Sequence, residues 1–178
     1  MSDYRVWRLL AAAAMMTAGA VVTAAVPAAA ATVRPVDTVI EAESYDAQRG
    51  TRVIVDPTAS GGRAVTRIGN GDWLRYDGVD FGASPATASG FARWRWGQYG
   101  PGTIELRLDR PDSTPLVSVT LASSQGRCCT WEWSSVRHGS SEIYGVHTVY
   151  LTFRSDSPRS YFALDAFQVL KQTWPPIP

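Results

Sequence analysis

Cysteine and histidine are scarce in this sequence. The 178 residues contain only two cysteines, the adjacent Cys128 and Cys129, and only two histidines, His138 and His147. No arrangement of these residues has the spacing of a zinc site or the context of a Cys–His nucleophile. A Gly-x-Ser-x-Gly elbow and a glycine-rich phosphate loop are also missing. The sequence therefore offers no recognisable zinc site, activated nucleophile or nucleotide site.

An excess of charge of either sign is also missing. The chain has 17 basic and 16 acidic residues, and the two classes are equal in number from residue 32 onward. A protein that binds nucleic acid or an anionic membrane needs a clear basic excess on its surface. We therefore expect no nucleic acid partner and no membrane partner for the folded domain.

The first 31 residues have the pattern of a secretory signal peptide. Arg5 and Arg8 precede an Ala-rich apolar run over 9–26, and small residues at 28–31 suit cleavage near Ala30 or Ala31. A single transmembrane anchor is the alternative, because the run is long enough to be a candidate. We expect a secreted, extracellular protein whose mature chain starts with an extended leader over 32–37.

Helical periodicity is absent from the rest of the chain, and short apolar runs alternate with turn residues. About ten such runs predict strands, for example 51–55, 64–68, 91–96, 104–108 and 116–121. This pattern predicts an all-β, two-sheet β-sandwich over 38–171, with the Pro-rich tail 172–178 unstructured. In the central stretch Trp73, Leu74 and Tyr76 cannot all face one side of a strand, and we interpret Trp73 as a core residue.

Four motifs carry a family resemblance. The stretch GNGDWLRYDGVDFG (69–82) resembles the signature of family 6 carbohydrate-binding modules. Three further stretches match in the expected order: IEAESYDAQRG (40–50), GTIELRLDRPDSTPLVSVTL (102–121) and GVHTVYLTFRSDSPRSYFALDAFQVL (145–170). The resemblance implies a jelly-roll sandwich that binds a polysaccharide or oligosaccharide without catalysis. We expect a monomer.

Two acidic residues near the start of the domain raise the question of a metal. Glu41 and Glu43 are two residues apart in a predicted strand over 39–43, so we expect them on one face of it. Their repulsion needs compensation by solvent or by a cation. The spacing alone leaves both explanations open. The resemblance implies a structural Ca²⁺ held by Glu41, Glu43 and Asp165, with one or more carbonyl groups from the 57–63 loop.

The usual sugar contacts of the family are changed in this sequence. Arg67 and Cys128 fall where the resemblance implies two stacking aromatic residues, and Ala163 falls where it implies an Asn. In one interpretation the cleft is rebuilt, with Arg67 donating hydrogen bonds and a strained Cys128–Cys129 disulfide supporting a sugar face. The alternative for this pair is two reduced or intermolecularly bonded thiols.

A second interpretation moves sugar binding to a sheet face. Trp96, at a strand end, and Tyr99, in a loop, are then the candidate contacts, whereas Trp94 and Trp133 are interpreted as core residues. A third interpretation holds that sugar binding is lost and that the sandwich serves as a cell-surface or structural module that binds protein. The carboxylates give no clear catalytic pair, so a small jelly-roll lyase or glycosidase is the least favoured alternative.

Overall fold

The chain folds as two β-sheets. The computed structural model describes residues 33–96, 102–121, 130–136, 142–155 and 162–172. Twelve strands lie in these ranges, which confirms the predicted two-sheet sandwich. The described residues contain no α-helix; two short 3-10 turns occur at Ala42–Ser44 and Ser60–Gly62. Within these ranges no helix has the length and apolar character needed to cross a membrane.

Sheet A holds six strands. They are β1 (Arg34–Pro35), β3 (Ala47–Arg49), β6 (Trp73–Asp80), β8 (Gly102–Leu108), β9 (Val117–Leu121) and β11 (Val146–Arg154). Their order is β1-β6-β11-β8-β9, and β3 pairs with the beginning of β6. All pairings are antiparallel except that of β1 with β6.

Sheet B holds the other six strands. They are β2 (Val39–Glu41), β4 (Arg52–Val55), β5 (Arg63–Thr66), β7 (Thr87–Trp96), β10 (Glu132–Val136) and β12 (Phe162–Gln172). Their order is β10-β7-β12-β5-β4, and β2 pairs with β12. The first and last parts of the sandwich therefore meet in one sheet.

The core lies between the two sheets and follows the alternation of the strands. Leu74 and Tyr76 on β6 are fully buried, and the Tyr76 ring lies 4.8 Å from the Phe167 ring of sheet B. The Tyr76 hydroxyl donates a 2.7 Å hydrogen bond to the Ala42 carbonyl, so its polar end is satisfied inside the core. Trp94 is 2% exposed, which confirms its predicted core position.

The predicted leader is part of the sandwich. Arg34 and Pro35 form β1, which pairs with Val79 and Asp80. The Arg34 side chain donates hydrogen bonds to the Asp46 carboxylate and to the carbonyls of Ser44 and Asp77. The described fold therefore begins at 34, before the predicted boundary at 38, and it continues through Gln172. The predicted signal peptide (1–31) and the tail beyond 172 lie outside the described residues.

Candidate functional site

A row of side chains crosses the outer face of sheet A. Arg49, Trp73, Thr152 and Glu105 stand directly opposite one another on β3, β6, β11 and β8. Residues that pair in this way have side chains on the same face of the sheet, with Cβ atoms about 5 Å apart. The register of four strands therefore builds one continuous surface from residues that are up to about a hundred positions apart in the chain.

Trp73 is the aromatic residue of this surface. It is only partly buried and meets Tyr150 edge-to-face, with ring centroids 5.6 Å apart. The prediction that Trp73 belongs to the core is wrong, because Leu74 and Tyr76 take the inner face of β6 and Trp73 alternates to the outer one. An accessible indole held by a neighbouring ring is a suitable platform for stacking.

Glu105 is the buried carboxylate of the surface. It is 6% exposed, and its oxygens accept hydrogen bonds from Arg107 (2.6 Å), Arg154 (3.3 Å) and Thr152 (3.3 Å). Burial by itself acts to raise the pKa of Glu105, but Arg107 and Arg154 outweigh it and hold the pKa below its ordinary value. Glu105 is therefore ionised at neutral pH, and both of its oxygens already accept hydrogen bonds.

The four side chains of the row, from Arg49 to Glu105, form the floor of a groove with a volume of about 330 Å³. Its wall on one side is the Asn70-Gly71 turn, where the Gly71 amide donates to the Phe153 carbonyl at 3.0 Å. The remaining lining residues come from β8, from the loop that follows it and from the end of β11, and they are Arg107, Pro111, Asp112, Phe153 and Arg154. The size and the mixed polar and aromatic lining are those of a small-ligand site.

The sequence patterns alone did not identify this groove. Glu105 and Arg107 appeared only as the polar residues of a half-buried strand, and Arg49 and Thr152 carried no signal of their own. The alternation of β8 and β11 gives the face of each residue, but only the register of β3, β6, β11 and β8 places them side by side.

A second polar cluster contains the three predicted metal ligands. Glu41 ends β2, and Glu43 lies in the 3-10 turn that follows. The prediction that the two residues lie on one strand is therefore wrong. Asp165 stands at a register shift of β12, between Leu164 and Ala166, and Ala166 pairs with Glu41. A β-bulge re-aims a side chain in this way.

The three carboxylates are incompletely paired. Glu41 Oε2, Glu43 Oε2 and Asp165 Oδ1 are buried and have no hydrogen-bond partner among the described residues, whereas Glu41 Oε1 accepts from the Ser60 hydroxyl at 2.7 Å. A Cβ built on Gly61 would lie 3.3 Å from Glu43 Oε1, so the 57–63 loop closes over the cluster. Buried carboxylate oxygens without a partner are compensated by a cation, an ordered water or a proton.

The electrostatics of the cluster point the same way. Burial raises the pKa of Glu43, and the charges of Glu41 and Asp165 raise it further. Burial also raises the pKa of Asp165, with the Glu41 charge in addition, although the Ser60 backbone amide and the ion pair with Arg93 oppose the shift. Among the described residues, no group of three His, Cys, Asp or Glu side chains stands at metal-binding distances, so binding of an ion here would require the three carboxylates to move closer together. Their oxygen donors fit Ca²⁺ chemically.

The predicted loop contacts are only partly described. Arg67 is exposed and has a left-handed backbone, with φ of 58°, between β5 and β6. Trp96 is the last residue of β7, and its side chain lies outside the described structure, as do Tyr99, Cys128 and Cys129 entirely. The rebuilt-cleft and disulfide hypotheses therefore stay predictions. Ala163 is buried on β12.

Trp133 lies on the opposite side of the sandwich from the groove. It pairs with Arg93 in sheet B and is 50% exposed, so the prediction of a core position is wrong. Trp131 immediately precedes β10, and the Arg93 guanidinium lies 5.8 Å from its ring centre. Trp94 instead takes the inner face and donates to Ser134 at 2.8 Å.

Comparison with known proteins identifies relatives of this chain. The family model "Carbohydrate binding module (family 6)" matches residues 41–171. Endo-1,4-beta-xylanase A of Thermoclostridium stercorarium is 32% identical over 120 residues, which cover 67% of this chain and 22% of the xylanase. The chain thus spans about a fifth of the length of this curated relative.

Two solved structures are similar over the whole sandwich. A family 6 carbohydrate-binding module from Clostridium cellulolyticum in complex with xylose has a TM-score of 0.65 and 33% identity, covering 77% of this chain and 99% of that one. A β-1,3-glucan-binding family 6 module from Bacillus halodurans has a TM-score of 0.66 and 28% identity, covering 78% and 98%.

Proposed function

Because the chain belongs to family 6 of the carbohydrate-binding modules, we propose that its polysaccharide site is the groove on the outer face of sheet A. The single observation that carries this proposal is the partly exposed Trp73 ring on the floor of a groove of about 330 Å³. Sugar rings stack their C–H faces on flat aromatic rings, and their hydroxyl groups require polar neighbours. Asn70, Arg49 and Arg154 line the groove and supply such groups.

The Trp73 platform is held in place by its surroundings. Tyr150 contacts the indole edge-to-face, and Thr152 stands opposite Trp73 in a hydrogen-bonded network with Glu105. The adjacent 69–72 turn is fixed by the Asp72 carboxylate, which accepts from the Gly69 amide at 2.8 Å. A rigid platform loses little conformational freedom on binding, which favours affinity.

The groove favours binding over catalysis. A glycosidase needs a protonated carboxyl group with a raised pKa and a second carboxylate across the scissile bond. Glu105 has a lowered pKa, and Asp112 forms an exposed two-point ion pair with Arg110. His147 is engaged by Asp109 and by the Tyr144 carbonyl, away from the groove-lining residues. We therefore infer a noncatalytic module.

We also propose that Glu41, Glu43 and Asp165 hold a structural Ca²⁺, with oxygen atoms of the 57–63 loop completing its shell. The unpartnered buried oxygens on all three carboxylates support this proposal. The ion would neutralise the repulsion between the acids and connect β2 to β12 in sheet B. It would have no role in a reaction.

Secretion is the remaining part of the proposed function. The N-terminal 31 residues have the basic, apolar and small-residue regions of a signal peptide, and polysaccharides are extracellular ligands. N-terminal sequencing of protein recovered from the culture medium tests this proposal. A chain that stays cell-associated and begins at Met1 would contradict it.

Affinity electrophoresis in gels containing neutral and acidic polysaccharides tests the location of the site. Trp73→Ala is compared with Trp133→Ala, which removes an exposed indole from sheet B. We expect Trp73→Ala to weaken the affinity derived from gel retardation about tenfold or more, because the stacking surface is lost. Trp133→Ala should migrate like the wild type. The opposite result would move the site to sheet B.

Failure of the folded wild-type protein to bind any polysaccharide would contradict the proposed function. The search would then turn to protein partners, which is the alternative that the changed cleft positions Arg67, Cys128 and Ala163 suggest.

A further inference from the structure

The carboxylates of the sheet A groove are already neutralised. Glu105 is bound by Arg107 and Arg154, and Asp112 is bound through both oxygens by Arg110 at 3.0 and 2.7 Å. A neutral sugar presents hydroxyl groups that need acceptors as well as donors. In this groove the strongest acceptors are occupied, so the surface offered to a ligand is rich in donors.

Arg49 is a cation without a counterion in the described structure. It is exposed, it lines the groove, and it makes no hydrogen bond or ion pair with any residue that the structure describes. The nearest acidic side chain of the adjoining turn, Asp72, accepts from the Gly69 amide and is not among the groove-lining residues. The positive charge of Arg49 is therefore available to a ligand.

Arg154 provides a second cationic group on the other side of the aromatic platform. Its side chain is 68% exposed, and its contact within the described residues is a 3.3 Å bond from Nη1 to Glu105 Oε1. Arg154 lies two residues beyond Thr152, which stands opposite Trp73, whereas Arg49 stands opposite Trp73 on the neighbouring strand. The indole is thus flanked by two guanidinium groups with unused donors.

We propose that the groove selects an anionic polysaccharide, whose sugar ring stacks on Trp73 while its carboxylate or sulfate group binds Arg49 and Arg154. Guanidinium groups match both anions geometrically, because their planar fork offers two parallel N–H donors. This inference rests on the proposed function and specifies the chemical class of the ligand. Carboxylate and sulfate are the two possible sources of the charge.

The test compares each acidic polysaccharide with its own neutralised form. The probes are polygalacturonate, glucuronoxylan and a sulfated galactan, paired with carboxyl-reduced or desulfated samples of the same chains. We expect the mature protein to bind at least one charged chain about tenfold more tightly than its neutral counterpart. The identity of that chain distinguishes a carboxylate from a sulfate ligand.

Two variants separate a specific site from general attraction. Arg49→Gln is compared with Arg52→Gln, which removes an exposed arginine from β4 in sheet B. We expect Arg49→Gln to reduce the preference for the charged chain about tenfold, and Arg52→Gln to preserve it. Equal losses in the two variants would overturn the inference.

Two further outcomes distinguish failure of the anionic preference from failure of the proposed carbohydrate site. Binding of neutral chains as tight as that of their charged counterparts, with loss in Trp73→Ala, would overturn the anionic preference and leave the carbohydrate site in place. Absence of binding to every charged and neutral chain would overturn both.

Discussion

Arg49 and Trp73 stand directly opposite each other on the antiparallel strands β3 and β6, on the outer face of sheet A. The two residues come from separate sequence motifs, one ending at Gly50 and the other starting at Gly69. Their pairing places a guanidinium group that has no partner among the described residues beside an accessible aromatic ring. The loop that follows β3 at Gly50 and the 69–72 turn before β6 therefore position the two residues in the groove.

The Gly50→Ala variant tests whether these two segments position the residues of the groove. Its φ is +83°, and a Cβ there would lie 1.7 Å from Asp72 Oδ1. Gly50→Ala is expected to destabilise the domain by about 2–4 kcal/mol, from the left-handed backbone and from displacement of the Asp72 carboxylate. Because Asp72 fixes the turn beside Trp73, polysaccharide affinity is expected to fall as well. Thermal unfolding and affinity electrophoresis measure the two effects.

Gly145→Ala is the matched control. Its φ is +85°, but no atom lies within 4 Å of the added Cβ. We expect only the backbone cost of about 1–2 kcal/mol and unchanged binding. Equal losses of stability and affinity in the two variants would show that the contact with Asp72 is unimportant.

Glu105 should make stability depend on pH. Its pKa is lowered in the folded protein, so its contribution is present above the unfolded value, about 4.3, and is lost as pH falls through the folded value. Glu105→Gln should lower the free energy of unfolding by about 1.5–3 kcal/mol at pH 7, and the difference between wild type and variant should become smaller below about pH 4. Urea unfolding at several pH values measures it.

Asp112→Asn is the control for Glu105→Gln. Asp112 also pairs with an arginine, but both side chains are exposed to solvent, so stability should hardly change. A cost of Glu105→Gln that persists unchanged to pH 3 would contradict the role assigned to the ionised carboxylate.

The proposed Ca²⁺ site predicts that the wild type and Glu43→Gln exchange their order of stability between chelator and Ca²⁺. Excess chelator should lower the melting temperature of the wild type, and Ca²⁺ at about a hundred times its Kd should add about 2.7 kcal/mol of stability. Glu43→Gln removes one of three repelling acids, so in chelator it should be more stable than the wild type, whereas in Ca²⁺ it should be less stable.

The control for Glu43→Gln is Glu142→Gln, which changes an exposed acid outside the cluster. It should follow the wild type in both conditions. A wild-type melting temperature that responds to neither chelator nor Ca²⁺ would contradict the metal site.

Arg34 predicts that the extended leader stabilises the fold. The Arg34 guanidinium binds Asp46 and two carbonyl groups, and burial opposes but does not prevent a lowered pKa of Asp46. Arg34→Gln should cost about 1.5–3 kcal/mol, or about 5 °C in melting temperature. Arg49→Gln, an arginine without such contacts, should change the melting temperature little. Equal melting temperatures of the wild type and Arg34→Gln would contradict the role of this contact.

The sequence by itself determined the fold class and the family. Alternation of apolar and polar residues between turn residues is a local property, so the strands of the sandwich were predictable, as was the buried position of Trp94. The motifs around residues 40–50 and 69–82 identified the family because they record turns and packing that depend on residue type. The acidic residues of the proposed Ca²⁺ site were also identified by sequence motifs.

Only the tertiary structure decided which surfaces are exposed and which residues meet. Trp73 and Trp133 were both interpreted as core, because alternation gives the two faces of a strand but does not say which face the second sheet covers. The groove needs the mutual register of β3, β6, β11 and β8, and register depends on long-range pairing, which no local pattern encodes. For the same reason, the position of Asp165 beside Glu41 came from a bulge in β12 and its pairing with β2.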